Sequence, residues 1–404
     1  MTDKPFPDPE LSSGSTDPIE PVPVRSLREL IDRVTGRGFQ PEQSGEESGR
    51  VEVLPFPFLA MVGQTEMKLA LVLALINPNV GGVLLIGPRG TGKTTAVRSL
   101  VDLLPEVPRS LCYYGCLPED IETGGMDAVC PDCARKFAEG EPLATMDRVR
   151  LVELPLNARL DDVVGGLDER EAVHQRMRLK RGILAQADRN LLYVDEVNLL
   201  EADVVDAMLD AASQGSYTVR RGPISSTYWS RFVLVGSMNP EEGGLRPQIQ
   251  DRFGLRVIVR TLDDMQDRLE VYRRVQSYRL KPRQVIAAYM QETRTAQQEI
   301  QLARQLMPEV ILPDEVAKLG LNLIAGLHIE SLRAEITLFE AARAHAAADG
   351  RDVVSAQDLR AVAPMALRLR RSAFMHEYIA RQGEEEAELS GAIEQAILSG
   401  GDQK

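Results

Sequence analysis

Apolar residues along the chain follow two patterns, and the change comes at about Thr261. Before this residue, short apolar runs rich in β-branched residues alternate with helical patterns, which is typical of a parallel sheet covered by helices. The runs are residues 82–86, 151–154, 191–194, 232–235 and 256–259. After it, apolar residues recur at helical spacing, as in Val316, Leu319 and Leu323, so we expect only helices there.

These patterns divide the chain into three regions. Residues 1–54 are rich in Pro, Ser, Gly and Glu and predict a flexible tail. Residues 55–262 predict an α/β nucleotide-binding domain with a cysteine-rich insertion at about residues 110–140. Residues 263–404 predict a separate helical lid domain, which a long helix at residues 285–306 leads into.

A phosphate-binding loop follows the first apolar run. Residues 87–94 read Gly-Pro-Arg-Gly-Thr-Gly-Lys-Thr, which fits the G-x-x-x-x-G-K-[ST] motif between a strand and a helix. In such a loop the backbone N–H groups surround the β-phosphate, the lysine reaches the β- and γ-phosphates, and the hydroxyl binds Mg²⁺. We therefore predict ATP binding by Gly87, Gly90, Thr91, Gly92, Lys93, Thr94 and Thr95, with Thr94 as a Mg²⁺ ligand.

Polar residues end two further apolar runs. Asp195 and Glu196 follow residues 191–194, where a buried strand would end beside the nucleotide. Asp195 is predicted to hold Mg²⁺, and Glu196 to polarise the attacking water. Asn239 follows the next run and, on an adjacent strand, would lie beside Glu196 and orient that water.

Two arginines are candidates for contacts with the γ-phosphate. Arg252 precedes the last strand and would project from the subunit edge toward the nucleotide of a neighbour, which would make hydrolysis depend on assembly. Arg246 and Arg256 compete for that role. Arg333 opens a helix in the lid and could reach the γ-phosphate from there. For both Arg252 and Arg333, an ordinary surface ion pair is the alternative.

All four cysteines of the chain lie in one short segment, at Cys112, Cys116, Cys130 and Cys133. Two close pairs separated by a loop have the ligand number of a structural zinc site, in which four thiolates leave no position for a reactive water. A redox-active dithiol, an iron–sulfur cluster and unligated thiols remain alternatives.

The composition excludes some classes of function. The formal net charge of -13 disfavours nucleic-acid binding, which requires a concentrated basic surface. No run approaches the roughly 18 consecutive apolar residues of a membrane span, so we expect a cytoplasmic protein without membrane insertion.

Several motifs together resemble one family, the I subunit of magnesium chelatase, a member of the AAA+ ATPases. The resemblance covers about residues 55–370 and rests on the phosphate loop and on residues 56–58, 62–64, 193–200, 237–243, 245–248 and 251–255. It implies an α/β AAA+ P-loop NTPase core with a parallel sheet, followed by an all-α lid domain. The cysteine segment is a departure from the family pattern and marks a subgroup.

The resemblance also implies residue roles and partners. Gln64 would lie against the adenine, Asn239 would be the first sensor, Arg252 the finger acting in trans, and Arg333 the second sensor. Ser331 and Ala334 replace the family's glycines beside Arg333. Insertions at residues 161–184 and 215–232 would project toward partners.

Family members form homo-hexameric rings, stack on a D-type AAA+ subunit, and drive a porphyrin-binding H subunit to insert Mg²⁺ into protoporphyrin IX in (bacterio)chlorophyll biosynthesis. Four alternatives stay open at this point: the motor of a cobalt chelatase, a MoxR-like chaperone, a nucleotide-binding switch with negligible hydrolysis, and a nucleic-acid motor.

Overall fold

The computed structural model describes residues 54–104, 106–166, 179–222 and 224–371. The predicted tail, the part of the first insertion at residues 167–178, and the end of the predicted lid after residue 371 lie outside the described residues.

The five apolar runs form one parallel sheet, as predicted. The strands are β1 (Val83–Ile86), β4 (Leu151–Leu154), β5 (Leu191–Val194), β8 (Val233–Met238) and β9 (Leu255–Ile258). Their order in the sheet is β4-β5-β8-β1-β9, and β1, β5 and β8 are buried along their whole length. Helices cover both faces of a parallel sheet, so its strands are buried on both sides. This burial explains why the strands appear in the sequence as unbroken apolar runs.

The remaining strands form two small antiparallel pairs. The strands β2 (Val107–Ser110) and β3 (Ala144–Asp147) enclose the cysteine segment, a pairing that the apolar pattern did not predict. The strands β6 (Ser216–Arg221) and β7 (Ile224–Trp229) form a hairpin within the predicted second insertion.

Helices pack around the sheet. In chain order they are α1 (Thr65–Ile76), α2 (Lys93–Leu100), α3 (Pro118–Gly124), α4 (Pro131–Ala138), α5 (Leu160–Val164), α6 (Ile183–Gln186), α7 (Ala202–Gln214), α8 (Pro247–Arg252), α9 (Met265–Leu280), α10 (Pro282–Leu306), α11 (Asp314–Gly326), α12 (Leu332–Ala348) and α13 (Ala356–Leu367).

The C-terminal helices share one apolar core with the sheet. Helix α1 is buried on most of its surface, as expected for a helix that is apolar on every side. It lies between the sheet and the later helices, so that Leu85 of β1 and Leu338 of α12 belong to one continuous cluster. The described helices after residue 262 therefore share a continuous apolar core with the sheet, and the domain boundary there stays a prediction.

The parallel register decides where the polar loops lie. Ile86 pairs with both Met238 and Ile258, and Val194 pairs with Gly236. The loops that follow β1, β5 and β8 therefore leave the sheet at the same edge, which we call the carboxyl edge. The amino ends of the strands form the opposite edge, one strand length away, which we call the amino edge.

Candidate functional site

The phosphate-binding loop connects β1 to α2 at the carboxyl edge. Gly92 precedes α2 with a φ of 88°, a conformation that favours glycine. A Cβ on Gly87 would lie 2.1 Å from the carbonyl oxygen of Val259, so a side chain there would force the loop away from β9. The path of the loop consequently depends on its glycines.

Lys93 is buried at the start of α2. Its Nζ donates hydrogen bonds to the carbonyl oxygens of Gly87 (2.6 Å) and Pro88 (2.8 Å). Burial lowers the pKa of Lys93, and the nearby carboxylates of Asp195, Glu196 and Glu242 oppose that shift. The ammonium group is thus held across the mouth of the loop, where it can contact the β- and γ-phosphates of a nucleotide.

Thr94 and Asp195, the two predicted Mg²⁺ ligands, lie close together. Thr94 Oγ1 lies 3.3 Å from Asp195 Oδ2. Tyr193 joins them, since its hydroxyl lies 3.1 Å from Thr94 Oγ1 and donates to Asp195 Oδ1 at 2.9 Å. Ser237 Oγ also donates to Asp195 Oδ1. A hydroxyl and a carboxylate are oxygen ligands of the kind Mg²⁺ prefers, so these residues fit that ion.

Tyr193 and Ser237 are site residues that the sequence reasoning missed. Tyr193 is 1% exposed, and burial raises its pKa. Its hydroxyl contacts three side chains of the site: those of Thr94, Asp195 and Ser237. The sequence did contain one signal for Tyr193, since it is the only aromatic residue in an otherwise aliphatic strand. A buried tyrosine hydroxyl usually requires a hydrogen-bond partner, so a polar contact could have been expected there.

Glu196 lies at the same edge in a left-handed conformation, with a φ of 52°. Its carboxylate pairs with Arg89 of the phosphate loop at 3.3 Å, and Arg89 also pairs with Glu242 at 2.5 Å. The buried Asn239 amide donates to Glu242 Oε1 at 3.3 Å. Glu196 and Asn239 are therefore joined through Arg89 and Glu242, two further residues that the sequence reasoning did not single out.

A cavity of about 610 Å³ opens beside the loop. Its lining includes five predicted nucleotide-binding residues, namely Gln64, Gly90, Thr91, Gly92 and Thr95. The lining also includes apolar residues such as Val62, Leu262 and Val271, together with three arginines, Arg268, Arg274 and Arg279. The Gln64 amide donates to the carbonyl oxygen of Arg260 at 2.7 Å, which fixes one side of the entrance. An apolar cavity next to a phosphate loop suits a planar base.

Arg252 and Arg333 lie at the other edge of the sheet. Arg252 Nη1 pairs with Asp210 at 2.8 Å, and Arg333 Nη1 lies 3.6 Å from Asp251. Arg252 and Asp251 precede β9 in the chain. Leu255, the first residue of β9, pairs with Val83 at the start of β1, whereas the phosphate loop follows Ile86 at the end of β1. Neither arginine is thus placed at the phosphate loop of its own chain.

Arg256, one of the competing candidates, is 1% exposed. Its guanidinium donates to the carbonyl oxygens of Arg368 (3.0 Å) and Leu369 (2.7 Å). Burial and the charge of Arg370 lower the pKa of Arg256 to about 10. This buried side chain connects β9 to the residues after α13, whereas Arg246 is exposed.

The four cysteines converge on one point. Their sulfur atoms all lie within 4.8 Å of one another, with Cys112 Sγ 3.5 Å from Cys130 Sγ and 3.8 Å from Cys116 Sγ. The N–H groups of Tyr114 and Cys130 donate to Cys112 Sγ and Cys116 Sγ. The hydrogen bond with Cys116 is the largest of the effects that lower the pKa of Cys112, to about 4. The segment from β2 to β3, residues 107–147, is called the cysteine knuckle below.

No helix in the described part of the chain is long and apolar enough to cross a membrane.

The fold and the carboxyl-edge site define an AAA-type ATPase. The sequence model of the AAA domain matches residues 79–218, and that of the AAA lid domain matches residues 322–391. The model described as magnesium chelatase, subunit ChlI, matches residues 170–276.

Comparison with curated proteins specifies the family. A magnesium-chelatase subunit ChlI homolog of Methanocaldococcus jannaschii is 42% identical over 322 residues, which is 79% of this chain and 87% of that protein. The magnesium-chelatase 38 kDa subunit of Acidiphilium rubrum is 43% identical over 317 residues, or 78% and 90%. This chain belongs to the family of magnesium-chelatase I subunits.

One solved structure is also similar. A BchI chain in a complex of the BchI and BchD subunits of magnesium chelatase is 40% identical, with a TM-score of 0.45, and the match covers 79% of this chain and 97% of that one.

Tyr193→Phe is expected to raise the Mg²⁺ concentration for half-maximal ATP hydrolysis by about 10-fold, because Thr94 and Asp195 lose the hydroxyl that orients them. This Mg²⁺ concentration is measured by titrating the ATPase activity with Mg²⁺ at a fixed ATP concentration. Tyr272→Phe is the matched control, since this tyrosine is 59% exposed on α9. An unchanged Mg²⁺ dependence in Tyr193→Phe would show that the phenol serves only packing.

Proposed function

We propose that this chain is the ATP-hydrolysing motor subunit of a magnesium chelatase and drives Mg²⁺ insertion into protoporphyrin IX by partner subunits, in (bacterio)chlorophyll biosynthesis. The observation that carries the proposal is the 42% and 43% identity over 87% and 90% of two relatives named as magnesium-chelatase subunits. The carboxyl-edge site supplies the residues that ATP hydrolysis requires. A cobalt chelatase motor and a MoxR-like chaperone become outcomes of the test.

The site supports a division of roles between side chains. The N–H groups of the loop and the ammonium of Lys93 hold the phosphates of the substrate ATP. Thr94 and Asp195 would hold Mg²⁺, which when bound neutralises charge on the β- and γ-phosphates. Glu196 would orient and polarise the attacking water, and for this its carboxylate must exchange the Arg89 ion pair for the water. Asn239 would assist in positioning that water.

The cavity next to the loop is proposed to hold the adenine. Gln64 and Thr95 lie on its lining together with the glycines of the loop. A base placed there would lie against the apolar side chains while its phosphates reach Lys93. This placement supports ATP rather than a free phosphate as the ligand.

Arg252 and Arg333 are proposed to act on the nucleotide of a neighbouring subunit. Both lie near Asp251 at the amino edge, away from the loop of their own chain. A second subunit whose carboxyl edge met this surface would bring its γ-phosphate to both arginines. Hydrolysis would then require assembly. We further propose that the assembly is a homo-hexameric ring that works with a D-type subunit and a porphyrin-binding H subunit, as the family resemblance implies.

The cysteine knuckle is proposed to hold one structural Zn²⁺ on Cys112, Cys116, Cys130 and Cys133. A zinc–sulfur bond of about 2.3 Å in a tetrahedron places sulfurs about 3.8 Å apart. The sulfur–sulfur distances of 3.5 and 3.8 Å around Cys112 fit this geometry. A single ion also suits the compact cluster better than several iron atoms, which would spread their ligands further apart.

Adding this protein and ATP to D and H subunits from a related organism is expected to start Mg²⁺ insertion into protoporphyrin IX, measured by porphyrin fluorescence. The Glu196→Gln variant is the control, and we expect it to bind ATP but hydrolyse it at least about 100-fold more slowly and support no insertion. Lys93→Ala should fail to bind ATP. If the chain hydrolyses ATP with no insertion of Mg²⁺, the chelatase proposal fails, and insertion of Co²⁺ alone would point to a cobalt chelatase.

Arg252→Ala is expected to reduce ATP hydrolysis by about 1,000-fold, the loss typical of an arginine finger. Mixing Arg252→Ala with Lys93→Ala subunits should restore part of the activity, because the second variant supplies Arg252 to the intact nucleotide site of the first. Asp210→Asn breaks the intrachain ion pair of Arg252 and serves as control, with activity near that of the unchanged protein. Absence of rescue at every mixing ratio would contradict action in trans.

Purified protein is expected to contain one zinc ion per chain by elemental analysis, and Cys130→Ser should lose it because three thiolates and a hydroxyl hold zinc far more weakly. Iron with matching sulfide, or a disulfide in place of metal, would overturn the zinc assignment.

A further inference from the structure

The cysteine knuckle packs against the hairpin of β6 and β7 through a group of four tyrosines. Tyr113 and Tyr114 lie between the first two cysteines of the knuckle, and Tyr217 and Tyr228 lie on the hairpin. The ring of Tyr114 stacks on that of Tyr228 with centroids 5.9 Å apart, and Tyr217 lies 5.8 Å from Tyr228. Since Tyr228 is buried, this contact covers the inner side of the hairpin.

A second contact holds the base of the hairpin. Arg231, which follows β7, donates to Asp120 of α3 in the knuckle at 2.5 Å and to Asp188 at 3.1 Å. Both carboxylates are nearly inaccessible to solvent, and the guanidinium is largely covered. Truncating one partner of such a buried pair leaves the other charge uncompensated, so this junction is held firmly.

Tyr113 links the knuckle to the end of the first insertion. Its hydroxyl donates to the carbonyl oxygen of Leu179 at 2.7 Å and accepts from the N–H of Arg181 at 3.0 Å. Two adjacent tyrosines of one short loop thus contact the end of the first insertion and the hairpin. The path of that loop is set by Cys112 and Cys116, the residues on either side of it.

The junction is well separated from the nucleotide site. Asp188 and Arg231 precede β5 and β8, whereas Asp195 and Asn239 follow these strands. At about 3.3 Å per residue, the length of these strands lies between the two regions. Changes at the junction can therefore alter the hairpin without altering the residues that contact ATP.

We propose that the cysteine knuckle is a metal-dependent brace, which holds the hairpin of β6 and β7 in position through Tyr114 and Arg231. The inference rests on the metal site proposed above. An ion bound by the four sulfurs fixes the loop that carries Tyr113 and Tyr114, and the tyrosine contacts then fix the hairpin. Tyr114 and Arg231 are positioning residues.

The single tryptophan of the chain reports on this junction. Trp229 ends β7, and the guanidinium carbon of Arg231 lies 4.4 Å from its ring centroid. A Cβ on Gly115 would lie 4.0 Å from Trp229 Cβ, so the loop between Cys112 and Cys116 passes close to it. Its fluorescence should therefore change when the metal leaves the knuckle.

The test uses hydrogen exchange on the full-length protein, with tryptophan fluorescence and zinc content measured in parallel. Removing zinc with a chelator is expected to accelerate exchange of the hairpin amides by about 10-fold or more while those of β1 and β5 stay unchanged. Tyr114→Ala should accelerate hairpin exchange to a similar extent with zinc still bound. Basal ATP hydrolysis should stay within about 2-fold in both cases, because the local opening does not extend to the carboxyl edge.

Tyr272→Ala is the matched control and should leave hairpin exchange unchanged. Unchanged hairpin exchange after zinc has left the protein would overturn the metal-dependent brace. Equal acceleration in β1 and β5 would also overturn it, since the knuckle would then stabilise the whole fold. Zinc content tests the zinc site, ATP hydrolysis tests the motor function, and hairpin exchange tests the brace. Because the three are measured separately, a negative result for the brace can be distinguished from a negative result for either of the other two proposals.

Discussion

The parallel register of β1, β5 and β8 is the constraint on which the site depends. Because the three strands run in one direction and pair residue by residue, the loops after Ile86, Val194 and Met238 leave the sheet together. This brings Thr94 and Asp195 within 3.3 Å although they are far apart in the sequence. The full burial of the strands makes the register rigid, since a slip would expose apolar residues or bury unpaired backbone groups.

The same register separates two kinds of chemistry. Residues that contact the chain's own nucleotide site lie at the carboxyl edge, while Arg252, Arg333 and the knuckle contacts of Arg231 lie toward the amino ends of the strands. In the proposed function, one edge binds and cleaves ATP, while the other provides arginines to a neighbouring subunit and supports the hairpin. The buried Arg256 of β9 donates to a carbonyl oxygen after α13, and the buried Arg370 contacts Asp251 and the carbonyl oxygen of Gly254 just before β9. The lid and the sheet are therefore joined at the amino edge as well.

Much of this arrangement could be predicted from the order of residues. The five apolar runs matched the five strands of the sheet, and the phosphate loop and the acidic pair stood at strand ends where local patterns suffice to locate them. The position of Arg333 and the burial of Arg256 could not be predicted, because both depend on how the C-terminal helices pack against β9. Tyr193 and Ser237 could not be predicted as site residues for a related reason. Their hydroxyl groups belong to the site only because neighbouring strands place hydrogen-bond partners beside them.

The sequence by itself determined the class of protein, the phosphate loop, the residues able to bind Mg²⁺, and the presence of four cysteines with the number and spacing of a metal site. These properties are local, because each depends on residue types at short spacing along one segment. Only the tertiary structure decided that the four sulfurs converge, that the knuckle meets the hairpin through Tyr114 and Arg231, and that Arg252 and Arg333 lie away from their own phosphate loop. Such contacts join segments that are distant in sequence, and side-chain packing between them selects one arrangement from many that the local pattern allows.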